Sequence, residues 1–410
     1  MANQDLILEK DCVIAGGGPA GMVLGYLLAR AGLKVSVLEK HEDFLRDFRG
    51  DTIHPSTIGL LRELGVVDRF LELPLSRVTT MDAVIDGSRF TLADFSKLKK
   101  PENFLVFAPQ WDFLNFLAAE GEKLDGFDLQ MSTTATDLIV ESGKVVGVRA
   151  SNARGLTTQI RATLTVAADG RSSILREKAG LTPVDSGAPI DVLWFHLPKP
   201  QDPPPATLGY ISTKGMVLTL DRGDYYQAGM VIPKGHFELV QAQGIESFRA
   251  GIAAAVPHLT DVVHTLQSWE QIKLLSVQIN HLEHWSKPGF IAIGDAVHAM
   301  SPMFGVGINY AIQDAVALSN VISHELARGR APGEILAQLQ QRRERPVKKM
   351  QRLQQLGHRA IARVTSAKGE RVAPRPLVGL LRLFSPLIRR FMPRFIGYGF
   401  LPEHYRPDAH

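Results

Sequence analysis

Three stretches of this sequence pair glycines with a carboxylate in ways that suit a phosphate-bearing, polyhydroxylated ligand. The first, Gly16-Gly17-Gly18-Pro19-Ala20-Gly21, fits the spacing G-x-G-x-x-G. It follows an apolar strand, Cys12-Val13-Ile14-Ala15, and opens an apolar helix from about Met22 to Arg30 that stops at Gly32. In that setting Gly16 permits a tight turn, Gly18 lets the backbone approach a pyrophosphate, and Gly21 lets the helix pack close to the strand. The free N–H groups and positive dipole end of the helix face the phosphates. A second strand, 35–38, ends at Glu39, 18 residues beyond Gly21, and Lys40 follows. A carboxylate there can accept hydrogen bonds from a ribose. The second stretch, Asp169-Gly170-Arg171-Ser172-Ser173, ends the strand 164–167. Its alternative is a plain helix start with Asp169 or Ser172 as N-cap. The third is Gly294-Asp295-Ala296-Val297-His298, followed by Ser301-Pro302-Met303-Phe304-Gly305-Val306-Gly307-Ile308-Asn309. A carboxylate at a strand end can hold a polyol, and a glycine-rich turn at a helix start offers N–H groups to an electron-rich ring.

These stretches need a particular frame. Strand, helix, strand and acid at the N-terminus form a βαβ start. A helix is expected after Pro55, another from about Trp111 to Lys123, and a hairpin around Ser142-Gly143. A third buried strand, 290–293, runs into Gly294, and a long helix follows from about Ile308 to Leu326, ending at Gly329. Two strand-rich blocks lie between the motifs. The arrangement predicts an α/β fold, a discontinuous Rossmann-like domain with a mixed-sheet domain inserted twice. Its expected pieces are 1–77, 109–184 and 286–345; the inserted substrate domain is 78–108 and 185–285; residues 346–410 are a helical, basic C-terminal segment.

The 410 residues suggest two or three domains, and 45% apolar with 21% charged residues is ordinary globular composition. One cysteine, Cys12, excludes a disulfide scaffold or a cysteine-rich zinc site and reads as inert core. No apolar run reaches membrane-spanning length, and the N-terminus lacks the pattern of a signal peptide, so a cytoplasmic location is expected. Between 341 and 400 there are 15 Lys/Arg and 2 Asp/Glu, a net of +13, which leaves −9 for the rest of a chain whose total is +4. A nucleic-acid partner is not expected, since the body is acidic and no zinc-finger or RNA-binding pattern occurs.

Together the three stretches resemble the FAD-dependent aromatic hydroxylases, single-component flavin monooxygenases of the para-hydroxybenzoate hydroxylase type. The resemblance covers about residues 10–345. It implies non-covalent FAD, with the pyrophosphate on Gly16, Gly18, Pro19, Ala20 and Gly21, and the adenosine ribose on Glu39 beside Lys40. It implies that Asp169 lies near FAD and NAD(P)H pyrophosphates and that Gly294-Asp295 holds the ribityl chain. Pro302, Gly305 and Gly307 match the family's run before the isoalloxazine, with backbone N–H groups of Ile308 and Asn309 at its pyrimidine end. Arg49 matches an arginine near the FAD phosphates, and Gln110 stands where the family has Arg or Gln. The implied reaction is hydroxylation of an aromatic or quinone-like, hydrophobic small molecule, through a hydroperoxide at flavin C4a. NAD(P)H is a transient reductant and O₂ a co-substrate. Alternatives are a flavin reductase or epoxidase of a lipid or isoprenoid, and a non-catalytic FAD protein that sequesters a small molecule.

No catalytic side chain is assigned. His54, Tyr210 and Tyr225 are candidates to line a pocket, although aromatic residues in strands, here Tyr210 and Tyr225 with Trp194, His196 and Tyr226, are more often core. His298 reads as a hydrogen-bonded structural histidine. In the basic tail, Leu377, Leu381, Phe384, Ile388, Phe391 or Met392, and Phe395 recur at helical spacing among arginines. Pro386 and Pro393 are expected to break it into short helices. Peripheral contact with an acidic membrane is possible for such a stripe. Packing on the acidic body is the favoured reading. Oligomeric state is not legible.

Overall fold

The computed structural model describes residues 6–45, 52–204, 209–365, 372 and 375–406. Its largest sheet has eight strands. The strand Leu6–Ala15 lies at its centre, parallel to Thr157–Ala167 on one side and Val35–Leu38 on the other. Phe127–Gln130 continues beyond Val35–Leu38, and Phe290–Ala292 beyond Thr157–Ala167, both parallel. Strands covered on both faces should read as continuous apolar runs, and Cys12, Val13, Ile14, Val35 and Val37 are all fully buried. Burial raises the Cys12 thiol pKa, in keeping with an inert core position. The helices Pro19–Arg30 and Gly307–Ala327 pack against each other beside this sheet. The parallel register puts the C-terminal ends of Leu6–Ala15, Thr157–Ala167 and Phe290–Ala292 side by side, with Ala15 opposite Ala167 and Ala167 opposite Ala292. Motifs far apart in sequence therefore meet along one edge. The hairpin joins Thr133–Glu141 to Lys144–Asn152, with Ser142 and Gly143 both at positive φ (50° and 78°), as a tight turn matched to strand twist requires.

The second sheet has seven strands in the order Lys273–Leu275, Ile190–Pro198, Tyr225–Pro233, Gly215–Asp221, Gly209–Ser212, Thr80–Ile85 and Ser88–Asp94. It is mixed, because Gly209–Ser212 runs parallel to Thr80–Ile85 while the other pairs are antiparallel. Strand alternation splits its side chains between two faces. Leu193, Phe195, Leu197, Val217 and Ala228 turn toward the helix Ile245–Ala255 and its neighbours. The other face turns toward the eight-stranded sheet.

The C-terminal segment is helical. The helix Ile335–Thr365 runs through Pro346, and the helix Arg375–Gly397 runs through Pro386 and Pro393. The expected break into short helices does not occur. Proline's fixed φ is itself helical, and what it removes is one hydrogen bond per position. Packing of the terminal helix on the strand Ser88–Asp94 offsets that loss. Arg389 also lies 3.6 Å from Asp94. Its outward side leaves Leu383, Phe384, Leu387 and Phe391 exposed. No helix among the described residues is long and apolar enough to cross a membrane.

Candidate functional site

The first glycine turn divides into structural and open positions. Gly16 has φ +106°, and a Cβ there would lie 2.3 Å from the Ala168 carbonyl oxygen. At Gly21 a Cβ would lie 1.9 Å from the Gly16 carbonyl oxygen. Both glycines are requirements of strand–helix packing. A Cβ on Gly18 would meet nothing within 4 Å, so that position opens onto empty space. The helix Pro19–Arg30 has no side-chain cap at Gly18, which leaves first-turn N–H groups to a ligand. Glu39 is fixed by backbone, with Oε2 accepting from the Gly17 N–H (3.0 Å) and Oε1 from the His41 N–H (3.1 Å).

The second and third stretches are tied together by arginine. Arg176 donates to the carbonyl of Ala296 through Nη1 and to that of Arg171 through Nη2, both at 3.0 Å. Arg171 Nε lies 3.3 Å from Asp295 Oδ2. The N-cap of the helix Ile174–Lys178 is Ser173, whose hydroxyl accepts from the Arg176 N–H at 3.0 Å; neither Asp169 nor Ser172 takes that role. Asp169 accepts from the Leu175 N–H at 3.2 Å, while its Oδ1 has no partner among the described residues. Burial pushes the Asp169 pKa up, against hydrogen bonds from Ser173 and the Leu175 N–H that lower it.

Behind the third stretch lies a buried charged network. Asp314, fully buried, accepts from the Gly294 N–H (3.1 Å) and lies 2.5 Å from His298 Nε2, both through Oδ2, while Arg343 Nε donates to Oδ1 at 2.9 Å. His298 is thus the structural histidine expected. The chain then turns through Phe304 and Gly305, at φ +66° and +64°, into the helix Gly307–Ala327. Asn309 Oδ1 accepts from the Ser56 (2.5 Å) and Thr57 (2.9 Å) hydroxyls, while its buried Nδ2 has no partner among the described residues.

A single cavity of about 980 Å³ joins these parts to the second sheet. At one end it is lined by Gly16, Gly18, Pro19, Ala20, Glu39 and Lys40, then by Gln110, Asp169 and Asp295, and further on by Pro302, Gly305, Gly307 and Ile308. The face of the second sheet that lines it is almost wholly apolar, with Met81, Ala83, Leu92, Ile190, Val192, Trp194, Ile211, Met216, Leu218, Leu220 and Val231. Of the positions singled out from sequence, Gly21, Gly294 and Asn309 support this wall from behind, and Arg49 lies outside the described residues.

The aromatic pocket candidates are corrected. Tyr210 sits between Gly209 and Ile211, which line the cavity, so alternation sends its ring to the opposite face, against His258 at 5.0 Å between ring centroids. Tyr225 begins the strand Tyr225–Pro233 and stacks edge-on with His196 at 5.0 Å, outside the cavity wall. His54 is fully buried behind the wall, with Nδ1 2.8 Å from the Ile396 carbonyl oxygen and Nε2 3.0 Å from that of Gly305. Burial pushes its pKa down to about 4 despite those two carbonyls, so it is a strut rather than a proton carrier at neutral pH.

Sequence alone gives the helix Ile335–Thr365 no site role, yet Gly357, His358 and Ile361 line the cavity. The available signal was a polar row at heptad-like spacing, Gln351, Gln354 and His358, all buried although the surrounding sequence is strongly basic.

A profile of the FAD binding domain family matches residues 9–354. The 6-methylpretetramide 4-monooxygenase of Streptomyces rimosus is 30% identical over 406 residues, spanning 98% of this chain and 95% of that protein. Among solved structures, anhydrotetracycline hydroxylase from Streptomyces rimosus superposes with a TM-score of 0.74 at 22% identity, covering 95% of this chain and 76% of the other. The p-nitrophenol 4-monooxygenase of Pseudomonas putida DLL-E4 gives a TM-score of 0.76 at 17% identity, covering 95% and 96%. At those identities the two structures attest the fold.

Proposed function

Because this chain belongs to the FAD binding domain family, we propose that it is an FAD-dependent monooxygenase that uses NAD(P)H and O₂ to hydroxylate a hydrophobic aromatic or quinone-like molecule. The observation that carries this reading is a cavity with polar, glycine-rich walls from the first sheet's strand ends and an apolar wall from the second sheet. FAD fits the polar end on the chemistry of its walls: an open Gly18, uncapped helix N–H groups, and the carboxylates Glu39 and Asp295. In this reading Gly18, Pro19 and Ala20 take the pyrophosphate, Glu39 and Lys40 the adenosine side, Asp169 and Asp295 the middle of the cofactor, and the 302–309 turn its ring. When bound, FAD supplies the redox chemistry, taking reducing equivalents from NAD(P)H and activating O₂. The chain binds and orients. The N-terminal turn of the helix Gly307–Ala327 presents N–H groups and a positive dipole end to developing negative charge. Leu218, Leu220, Val192 and Trp194 keep water from the reacting ring. We take 78–108 and 185–285 as the substrate-facing unit, with the helix Ile335–Thr365 completing it. The names 6-methylpretetramide and anhydrotetracycline, borne by two similar proteins, favour a fused-ring substrate.

The test is turnover of the FAD-loaded protein over phenols, quinones and polycyclic aromatics under labelled O₂. The expected result is substrate-stimulated NAD(P)H oxidation with one labelled oxygen atom in the product. Substrate oxidation without label would favour the reductase or oxidase reading, and tight binding without NAD(P)H consumption the sequestering one.

The exposed stripe Leu383, Phe384, Leu387 and Phe391, flanked by exposed Arg390 and Arg394, supports a secondary reading in which the terminal helix touches an anionic membrane while its inner side packs on the body. The protein is expected to sediment weakly with anionic vesicles at low salt and to lose that binding on deletion of 375–410. Equal sedimentation with neutral vesicles would exclude the contact.

A further inference from the structure

His358 is buried, 1% exposed, on the helix Ile335–Thr365 and lines the cavity next to Gly357. That helix is pressed onto the start of the 302–309 turn: a Cβ on Gly357 would lie 2.6 Å from Met303 Sδ. Gln354 donates through Nε2 to the carbonyls of Ser301 (3.0 Å) and Met303 (3.1 Å). Ser301 Oγ accepts from the Met303 N–H at 3.1 Å and lies 2.7 Å from His358 Nε2. His358 Nδ1 is buried and has no partner among the described residues.

Which of Ser301 Oγ and His358 Nε2 donates sets the tautomer. A serine hydroxyl has one proton and can also accept. With Met303 donating to Oγ, that proton finds an acceptor if Ser301 donates to His358 Nε2. Burial pushes the His358 pKa down to about 4, so the ring is neutral at neutral pH and carries one proton. With Nε2 accepting, that proton sits on Nδ1. A buried N–H without an acceptor costs about 1–3 kcal/mol, and such groups in native structures call for a partner.

We propose that His358 is a substrate-recognition residue whose Nδ1–H donates to an acceptor oxygen, a ring carbonyl or phenolate, on the aromatic molecule in the cavity. The proposal rests on the monooxygenase reading for what occupies that end. It sets a buried polar anchor in a cavity whose second-sheet wall is apolar. Sites built to hydrogen-bond a substrate oxygen discriminate strongly against analogues without it, because the protein's own group is then left unpaired.

The two nitrogens can be tested separately. In His358→Asn the side-chain amide stands near the place of Nδ1 and the Ser301 contact is lost; in His358→Gln the amide reaches toward Ser301 and the Nδ1 donor is lost. The probes are anthraquinone and anthracene, which share three fused rings and differ in ring carbonyls, titrated against FAD-loaded protein. Wild type is expected to favour anthraquinone by about tenfold or more. His358→Gln should bring the two probes to near parity, and His358→Asn should retain most of the preference, with FAD content and melting temperature monitored for each. Equal probe binding by wild type, binding of neither probe, or a preference kept by His358→Gln overturns the proposal. If the Gln variant fails to fold, loss of the preference in His358→Asn overturns it. Failure to take up FAD would overturn the monooxygenase reading separately, since probe preference is measurable on the apoprotein.

Discussion

Gly18→Ala will leave the apoprotein's melting temperature unchanged and weaken its FAD binding, whereas Gly16→Ala will lower both. The two glycines are neighbours in one motif but differ in what surrounds them. Gly16 has φ +106°, where an L side chain costs about 1–3 kcal/mol, and its added Cβ would lie 2.3 Å from the Ala168 carbonyl oxygen. Overpacking against backbone adds a further cost of about 1–3 kcal/mol. Gly18 has φ −74° and no atom within 4 Å of a built Cβ, so alanine is accommodated by the fold itself. The methyl would instead enter the space assigned to the pyrophosphate. A steric cost of about 1–3 kcal/mol there corresponds to roughly 5- to 150-fold weaker FAD binding. Thermal melts with and without FAD, beside flavin absorbance of the purified variants, measure both quantities. Wild-type FAD affinity in Gly18→Ala would show that this turn does not hold the cofactor.

Asp314→Ala is expected to be the most destabilising single change, by about 3–5 kcal/mol. It would leave Arg343, 0% exposed, with Glu403 at 3.5 Å as its remaining carboxylate, and would deprive His298 and the Gly294 N–H of their acceptor. Denaturant titration at neutral pH gives the loss. The network also predicts a pH signature. Burial raises the Asp314 pKa, but His298 and Arg343 outweigh it and hold the group below the ordinary carboxylate value. A depressed folded pKa contributes stability that is fully present above the unfolded value, about 3.9, and is lost as pH falls through the folded one. Wild type should therefore lose an increment of stability below about pH 4 that Asp314→Asn no longer has to lose. Parallel acid-side curves for the two proteins would remove this network as a source of acid sensitivity.

The glycine turns were legible because the chemistry is local: strand, turn and helix follow within a few residues, and Gly16 and Gly21 are demanded by close backbone approach and Gly294 by its positive φ. That Asp169 and Asp295 would share one cavity was legible only through the resemblance, since parallel pairing brings strand ends together without any local mark. Strand faces were not legible. Tyr210 and Ile211 differ by one position, and which of them enters the cavity depends on how Gly209–Ser212 pairs with Thr80–Ile85 across more than a hundred residues. The role of the C-terminal segment was also hidden. Its basic composition describes the side that meets water, while Gln354 and His358 meet partners at Ser301 and Met303 that sequence spacing cannot supply. The prolines misled for a similar reason: a local helix preference was outweighed by tertiary packing.

The cavity's last wall leaves the ribosome well after both sheets. The seven-stranded sheet is complete once Leu275 has emerged, but Gly357, His358 and Ile361, which complete the lining of the cavity beside it, come 82 to 86 residues later. At about 5–20 residues per second, the cavity waits roughly 4–17 seconds for this wall. During this interval its apolar lining is incomplete on that side, and exposed apolar surface draws chaperones or aggregates. Vectorial synthesis thus makes the C-terminal helices a folding checkpoint: a ribosome that stops short of residue 358 yields insoluble chains rather than an enzyme that merely lacks a tail.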